Sequence, residues 1–428
     1  MKFGLFFLLQ VPRPWDDESE HRKYHEALEQ IELADKLGFH SAWSAEHHFL
    51  EEYAHASAPE MFLAAASQRT RDIRLGHGIV TLPYKVNNPF RVAERVAWLD
   101  LLSDGRAEFG TGESTGTREL GGFGVDVDTK EEQWHEALHA IIQIFTDEEH
   151  HGRFHGFEGK HLQMPPRGVR PAPYQKPHPP LWVACPRPET LWKATTHGAG
   201  ALAFTLSLEP ERANEKWVEP YYQGLEADDW VPLSDTVNPN LVAVSAAMIH
   251  HDEREALERG IDGAHFMGYG ISHYYYEEGY DPKYGANVYE QFGDKRDEFG
   301  FSREIATEQV QRLSTRIQRG DAKSLRACIG TPHQAREFLT RYEDAGFDQV
   351  LLQFQLGNND HEHICESMEL FAKEVMPEFL ERDEEHRRRK MDRLQPAIER
   401  ALERRRSGMA PEPPVAEEAR AGGGRGWT

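Results

Sequence analysis

Cysteine is scarce. The chain of 428 residues has three, Cys185, Cys328 and Cys365, odd in number and far apart. That spacing excludes a disulfide framework and points to a reducing compartment. Long apolar runs are missing too: no stretch approaches the roughly 18 residues that a membrane helix needs. The first apolar run has no basic flank before it and no small-residue cleavage site after it. No signal peptide is therefore expected, and a cytoplasmic location is the expectation that follows. Positive charge is in deficit: 49 Lys and Arg stand against 72 Asp and Glu, a formal net charge of −23. Nucleic acid and anionic membrane surfaces both call for a basic face, so neither is an expected partner. The acidity favours solubility and specifies no activity.

What is present is a regular alternation of two periodicities. Residues 2–9 are apolar and β-rich, the pattern of a buried first strand. Residues 21–37 carry Leu28, Ile31, Leu33, Ala34 and Leu37 at helical spacing, and Gly38 closes that helix. Further strands are predicted at 39–45, 73–82, 107–111, 180–185, 199–204, 240–249 and 349–354. Helices are predicted at 59–69, at 89–103 with Pro89 in the first turn, at 129–145, at 188–197, and from the eighth strand to about 375. Eight strands with helices between them predict an α/β fold, a single (β/α)8 TIM-like barrel over residues 1–380. Two stretches read as insertions: about 150–176, rich in Gly, Pro and His, and about 268–301, dense in Tyr, Gly and Asp and long enough for a lid. Residues 381–406 read as a charged helical tail and 407–428 as a disordered one.

The most informative segment is Trp43-Ser44-Ala45-Glu46-His47-His48-Phe49. It lies where the second strand gives way to a loop, and in a β/α barrel that is the mouth where chemistry is done. Three adjacent titratable side chains there call for a reason. A histidine suits proton transfer because its pKa lies near neutrality. Glu46 has two readings, orienting His47 or tying down the mouth; His48 reads as structural and Phe49 as packing.

The box resembles that of the bacterial luciferase-like flavin monooxygenases, as does the opening Met1-Lys2-Phe3-Gly4-Leu5-Phe6. Further pieces follow in the family's order. They are Leu75 to Pro83, Asn88-Pro89-Phe90-Arg91-Val92-Ala93-Glu94, Leu101 to Arg106 followed by Phe109 to Gly112, Gly330-Thr331-Pro332, Ala345-Gly346-Phe347-Asp348 and Met368 to Pro377. No single piece is specific; their shared order over residues 1–380 is. The resemblance implies a luciferase-like barrel with flavin at its mouth, namely FMN as FMNH2, delivered by a separate flavin reductase. It implies monooxygenation of a small-molecule substrate with O2 through a C4a-peroxyflavin. It makes His47 the catalytic histidine and aligns Gly78-Ile79 with a non-prolyl cis peptide under the flavin. It also implies a homodimer, formed through helices near the second and third strands.

For the flavin phosphate, the resemblance and the local chemistry nominate two loops. Thr111, Gly112, Glu113, Ser114, Thr115 and Gly116 form a glycine- and hydroxyl-rich turn whose N–H groups suit an anion. The family often has arginine where this chain has Glu113. Cys185, Pro186 and Arg187 follow the fifth strand, where Arg187 offers a charge-assisted contact; Arg118 is a weaker candidate. Cys185 itself reads as a packing thiol, since no base or oxyanion site accompanies it. Tyr274, Tyr275, Tyr276, Tyr280, Tyr284 and Tyr289 read either as a cover over flavin or as a loop with its own small core.

Three alternatives remain. The deazaflavin F420, with hydride transfer and no oxygen chemistry, is the nearest; the Glu-His-His-Phe box leans to FMN. A non-catalytic partner subunit is disfavoured by His47. Metal catalysis, suggested by 23 histidines, finds no ligand pair at the end of the first strand, and His21/His25 and His361/His363 fall on outer helices, so no metal is expected.

Overall fold

The computed structural model describes residues 1–114, 116–146, 153–204, 212–276, 285, 287–296 and 326–409. Eight parallel strands form the barrel: β1 (Lys2–Phe7), β2 (Ser41–Ser44), β3 (Arg74–His77), β4 (Ala107–Gly112), β5 (Leu181–Cys185), β6 (Gly200–Ala203), β7 (Leu241–Ile249) and β8 (Gln349–Gln353). The sheet runs β5-β6-β7-β8-β1-β2-β3-β4, and pairing of Trp182 with Gly110 closes β5 onto β4. All eight predicted strands are there.

Register fixes what faces inward. Same-face partners run Gly4–Ser41, Phe6–Trp43, Trp43–Gly76, Gly110–Trp182, Trp182–Gly200 and Ala246–Gln353. Trp43 and Trp182 thus share the interior and meet edge to face at 5.5 Å. Two indoles in so narrow a space demand glycine opposite. A Cβ on Gly76 would lie 2.2 Å from the Trp43 ring, and one on Gly200 2.3 Å from that of Trp182. Trp43 Nε1–H donates to Ser41 Oγ at 2.8 Å and Trp182 Nε1–H to Glu108 at 2.6 Å, so both polar edges are satisfied.

Around the barrel stand α1 (Ser19–Leu37), α2 (Pro59–Ser67), α3 (Pro89–Leu102), α4 (Thr117–Gly122), α5 (Lys130–Thr146), α6 (Trp192–Thr195), α7 (Glu219–Glu226), α8 (Glu253–Tyr276), α9 (Val288–Lys295), α10 (Pro332–Ala345), α11 (His361–Glu374) and α12 (Met376–Arg406).

Four expectations need correction. The predicted strand 73–82 is interrupted: β3 ends at His77, Gly78–Ile79 is a cis peptide, and a short segment Val80–Thr81 resumes pairing with β4. The predicted helix 188–197 is a 3-10 turn, Pro188–Thr190, followed by the single-turn α6. Residues 268–276, read as the start of an irregular insertion, finish α8, because Phe266, Met267, Tyr269 and Tyr274 continue its buried face. Residues 277–284 and 297–325, with Tyr280 and Tyr284, lie outside the described residues. The fourth concerns 381–406. This stretch belongs to α12, which begins at Met376 and packs on the barrel through buried Phe379, Leu394, Ala397, Ile398 and Ala401. Its charge is mostly on the outer face, but two charges are not. Asp383 pairs with the Met1 ammonium at 3.3 Å, and Lys390 pairs with buried Asp348 and donates to Asn240 at 2.6 Å. The expected tail at 410–428 lies outside the described residues. The insertion at 150–176 contains two small antiparallel pairs, Phe154 with Arg167 and Phe157 with Met164.

Asp348 shows what α12 contributes. Burial alone would raise its carboxyl; the Lys390 ammonium, His386 and the Leu241 N–H outweigh that and hold it below the ordinary value. Removing only the cation leaves a buried, uncompensated carboxylate. Lys390→Met should cost about 3–5 kcal/mol, read as a lower urea midpoint, with the Asp348→Asn/Lys390→Met double variant recovering part of it. With Asp348→Asn measured alone to close the cycle, single-variant losses that add up to the loss in the double variant would show that the pair is not coupled.

Candidate functional site

The C-terminal ends of the strands carry most of the nominated residues. His47 follows β2, and its backbone N–H donates to Ala56 O at 3.0 Å. Its ring lies in hydrogen-bond contact with a carboxylate that the sequence did not single out: Nδ1 is 3.2 Å from Glu119 Oε1. The same oxygen accepts from the His48 N–H at 2.9 Å, and Ser114 Oγ donates to Glu119 Oε2 at 3.3 Å. Glu119 is buried in the first turn of α4, where the helix N-terminus favours a negative charge. Burial would raise its carboxyl; the His47 imidazole and the His48 N–H prevail and hold it below the ordinary value. A Nδ1–H aimed at Glu119 leaves the lone pair of the His47 ring on Nε2.

Glu46 does not orient His47. It is buried, and its oxygens accept from Thr81 N–H at 2.9 Å, Asn87 Nδ2 at 2.6 Å and His48 Nε2 at 3.0 Å. It therefore ties the β2 loop to the segment after the cis peptide. His48 has the structural role expected of it, its ring meeting Phe123 edge-on at 4.9 Å.

The tyrosines divide. Tyr275 OH lies 3.4 Å from His47 Nδ1. Buried Tyr53 packs against both rings, 6.0 Å from His47 and 6.3 Å from Tyr275. Tyr289 instead packs against Phe266 and Phe292.

Beside this cluster, Ile79 and Gly112 are in close contact: a Cβ on Gly112 would meet Ile79 Cδ1 at 2.8 Å and Ala184 at 3.4 Å. Gly78 abuts Phe6 in the same way. Thr111 faces the other way. Its hydroxyl donates to Trp182 O and accepts from Trp134 Nε1–H of α5, each at 3.3 Å. Cys185 turns outward too: its thiol lies against Thr190 O, and burial pushes it up to about 12. That is the packing thiol read from the sequence, and the strand alternation sends its side chain toward α6. Pro186 is half-buried and Arg187 exposed, and the Arg187 carbonyl accepts from Thr190 Oγ1 at 2.6 Å. Arg118 donates to His273 O at 3.2 Å and lies over the Tyr274 ring. Thr115 lies outside the described residues.

Glu113 is answered by two cations. Lys193 of α6 is 3.0 Å away and Lys130 of α5 3.5 Å; Lys193 also pairs with Glu131 at 2.7 Å and Lys130 donates to Ser114 O at 2.6 Å. These lysines are 63 positions apart in sequence (193 − 130), so no local spacing reveals them.

Three buried amides complete this end. Both amide atoms of Gln353 and of Gln355, and Nε2 of Gln10, have no hydrogen-bond partner among the described residues. They follow or end β8 and β1, and Gln353 faces inward by register with Ala246. Orphaned buried amides are costly and mark places where a polar ligand or water belongs. A separate cavity of about 540 Å³, lined by Lys2, Arg74, Glu108 and Asn240, lies at the opposite, N-terminal end of the strands, away from His47.

Comparison with known proteins accords with this geometry. A family profile described as luciferase-like monooxygenase matches residues 1–349, and the chain belongs to that family. The oxygenase component of a flavin-dependent trigonelline monooxygenase from Acinetobacter baylyi is 25% identical, over 89% of this chain and 96% of that protein. Several other curated relatives are matched over only about half of their own length. Two solved structures show the fold. The oxygenating constituent of 3,6-diketocamphane monooxygenase from Pseudomonas putida, in complex with FMN, has a TM-score of 0.65 at 18% identity, covering 88% of this chain and 98% of that one. An F420-dependent secondary alcohol dehydrogenase has a TM-score of 0.62 at 17% identity, covering 87% and 98%.

A depressed carboxyl stabilises the fold above its unfolded value, and that contribution disappears as pH falls through its native value. Glu119→Gln should therefore lower stability at neutral pH by about 1–3 kcal/mol, with thermal midpoints of variant and wild type converging as the pH is lowered. A constant gap at every pH would mean that the Glu119 charge contributes nothing.

Proposed function

We propose that this member of the luciferase-like monooxygenase family is a two-component oxygenase that takes reduced FMN from a separate flavin reductase and uses O2 to oxygenate a small organic substrate. The observation that carries the reading is His47 at the barrel mouth with Nδ1 against buried Glu119 and Nε2 left for proton exchange. The relative that is an oxygenase component supports the two-component arrangement, and the fold neighbour in complex with FMN supports the cofactor.

The residues present fit a flavin. Gly112 and Ala184 leave the wall beside Ile79 shallow. The orphaned amides of Gln353, Gln355 and Gln10 match a ring edge that mixes donors and acceptors. Reduced flavin, when bound, supplies the electrons that activate O2. The protein's own share is threefold. Glu119 fixes the His47 tautomer, His47 moves a proton through Nε2, and Tyr53 and Tyr275 pack around the imidazole and keep water from it. For the phosphate, Lys130 and Lys193 beside Glu113 are the candidate cations, with Arg187 in reserve.

The second reading keeps the barrel and exchanges FMN for F420, with hydride transfer to the substrate; the F420-dependent fold neighbour favours it. Titration of both cofactors separates the two. Preferential, tight binding of F420 would displace the FMN reading.

The decisive experiment mixes protein and photoreduced FMN with oxygenated buffer and follows flavin reoxidation. His47→Ala should change the rate by about 100-fold or more while FMN affinity stays nearly constant. Equal rates in variant and wild type would sink the role given to His47.

Homodimerisation is proposed as well. Met61 on α2 and Trp98, Leu101 and Leu102 on α3 are exposed apolar side chains on neighbouring helices. Trp98→Glu should convert a dimer to a monomer in sedimentation velocity; a wild-type monomer would refute the pairing.

A further inference from the structure

Three histidines outside the mouth converge on one point. His135 and His139 are one turn apart on α5, and His197 follows α6. Each offers a ring nitrogen, and these nitrogens all lie within 4.8 Å of one another. Ring centroids are 4.2 Å apart for His135–His139, 5.3 Å for His135–His197 and 5.8 Å for His139–His197.

The hydrogen bonding around them is that of a ligand set. His197 Nδ1 is 2.6 Å from the Lys193 carbonyl, so Nδ1 carries the proton and Nε2 keeps its lone pair. A metal-binding histidine is commonly held by such a bond. Nε2 of His135 and of His139 are shielded from solvent and have no hydrogen-bond partner among the described residues. Two buried, unpartnered imidazole nitrogens facing a third are unfavourable unless something binds them. The nearby cations are already paired: Lys193 with Glu113 and Glu131, and Arg405 with Asp235 at 3.4 Å.

We propose that His135, His139 and His197 form a site for a divalent transition metal of the Zn2+ class that clips α5 to the end of α6. Zn–N bonds of about 2.0–2.1 Å place tetrahedral ligands roughly 3.3 Å apart, a small side-chain adjustment from the observed spacing. Imidazole donors suit Zn2+, Ni2+, Co2+ and Cu2+ and exclude Ca2+ and Mg2+, which take oxygen. Three protein ligands leave one position for water. The clip lies behind the barrel mouth: Trp134 packs on His197 at 5.4 Å and bonds Thr111. It has no part in the proton transfer assigned to His47. Sequence inspection passed it over because one ligand lies 58 positions beyond its partner (197 − 139).

The test uses the full chain without an affinity tag, stripped by chelator and titrated with Zn2+ in a calorimeter. One equivalent should bind and raise the thermal midpoint. Loss of a second-shell group typically costs 10–100-fold, so loss of a ligand in His139→Gln or His135→Gln should weaken binding by about 100-fold or more. The midpoint gain should vanish with it, whereas His21→Gln/His25→Gln, on the outer face of α1, should change neither. X-ray absorption at the zinc edge of the wild-type protein should show a first shell of light N/O scatterers without sulfur, with imidazole scattering, a readout independent of how the variants fold. No binding by the wild type, undiminished binding by both α5 variants, or a shell containing sulfur would overturn the proposal.

Discussion

The limited volume inside the eight-stranded barrel governs the rest of the structure. Such an interior is filled by side chains, with no room for a pore. Here Trp43 and Trp182 take the middle, and glycines at 76 and 200 are the complement that admits them. Once two indoles occupy that level, the small inward residues nearer the C-terminal ends, Gly112, Ala184 and Ala246, define the open end. The mouth is available for chemistry because the middle is full. At the other end charges are paired, with α12 laying Lys390 against Asp348 and Asp383 against the N-terminal ammonium.

Two buried glutamates then organise the mouth, with different partners. Glu46 accepts from backbone and amide groups and joins loops, so its effect is positional. Glu119 accepts from an imidazole and a backbone N–H, so it holds a ring in one orientation. Both are carboxylates within hydrogen-bond reach of a histidine. The two contacts differ in which histidine is held and in which of its ring nitrogens is engaged. His48 has its Nε2 occupied by Glu46. His47 has its Nδ1 occupied and its Nε2 left over.

The sequence carried the scaffold well because strand and helix periods are local. All eight barrel strands and the helices α1, α2, α3, α5 and α11 could be read from local pattern, whereas α8 and α10 were not read and α12 was read only from 381. What escaped reading was long-range or masked by composition. Glu119 sits 72 positions from His47 and is, by itself, an ordinary acidic residue in a first helical turn. Lys130 and Lys193 meet Glu113 only through the packing of α5 beside α6. The charge density of 381–406 hid a buried stripe, because Leu394, Ala397, Ile398 and Ala401 recur too sparsely among arginines and glutamates to stand out. The strand at 73–82 was continuous in hydropathy, so its interruption was not read there; the cis peptide at Gly78–Ile79 was expected from the family resemblance alone.

Glu113 changes how this end of the barrel handles an anion. Lys130, Lys193, Glu113 and Glu131 form a quartet whose formal charges cancel. A phosphate arriving there meets no net positive field, and the overall charge of −23 opposes its approach from a distance. Binding must then come from short-range donors and from partial exchange of partners, with phosphate oxygens competing with the Glu113 carboxylate for two ammonium groups. An arginine at the same place would attract the phosphate before contact; a pre-neutralised lysine pair discriminates only after it. Under the proposed function, with the flavin phosphate at this place, Glu113 shifts recognition from long-range attraction to contact geometry, which favours delivery of the ligand at close quarters over capture from dilute solution.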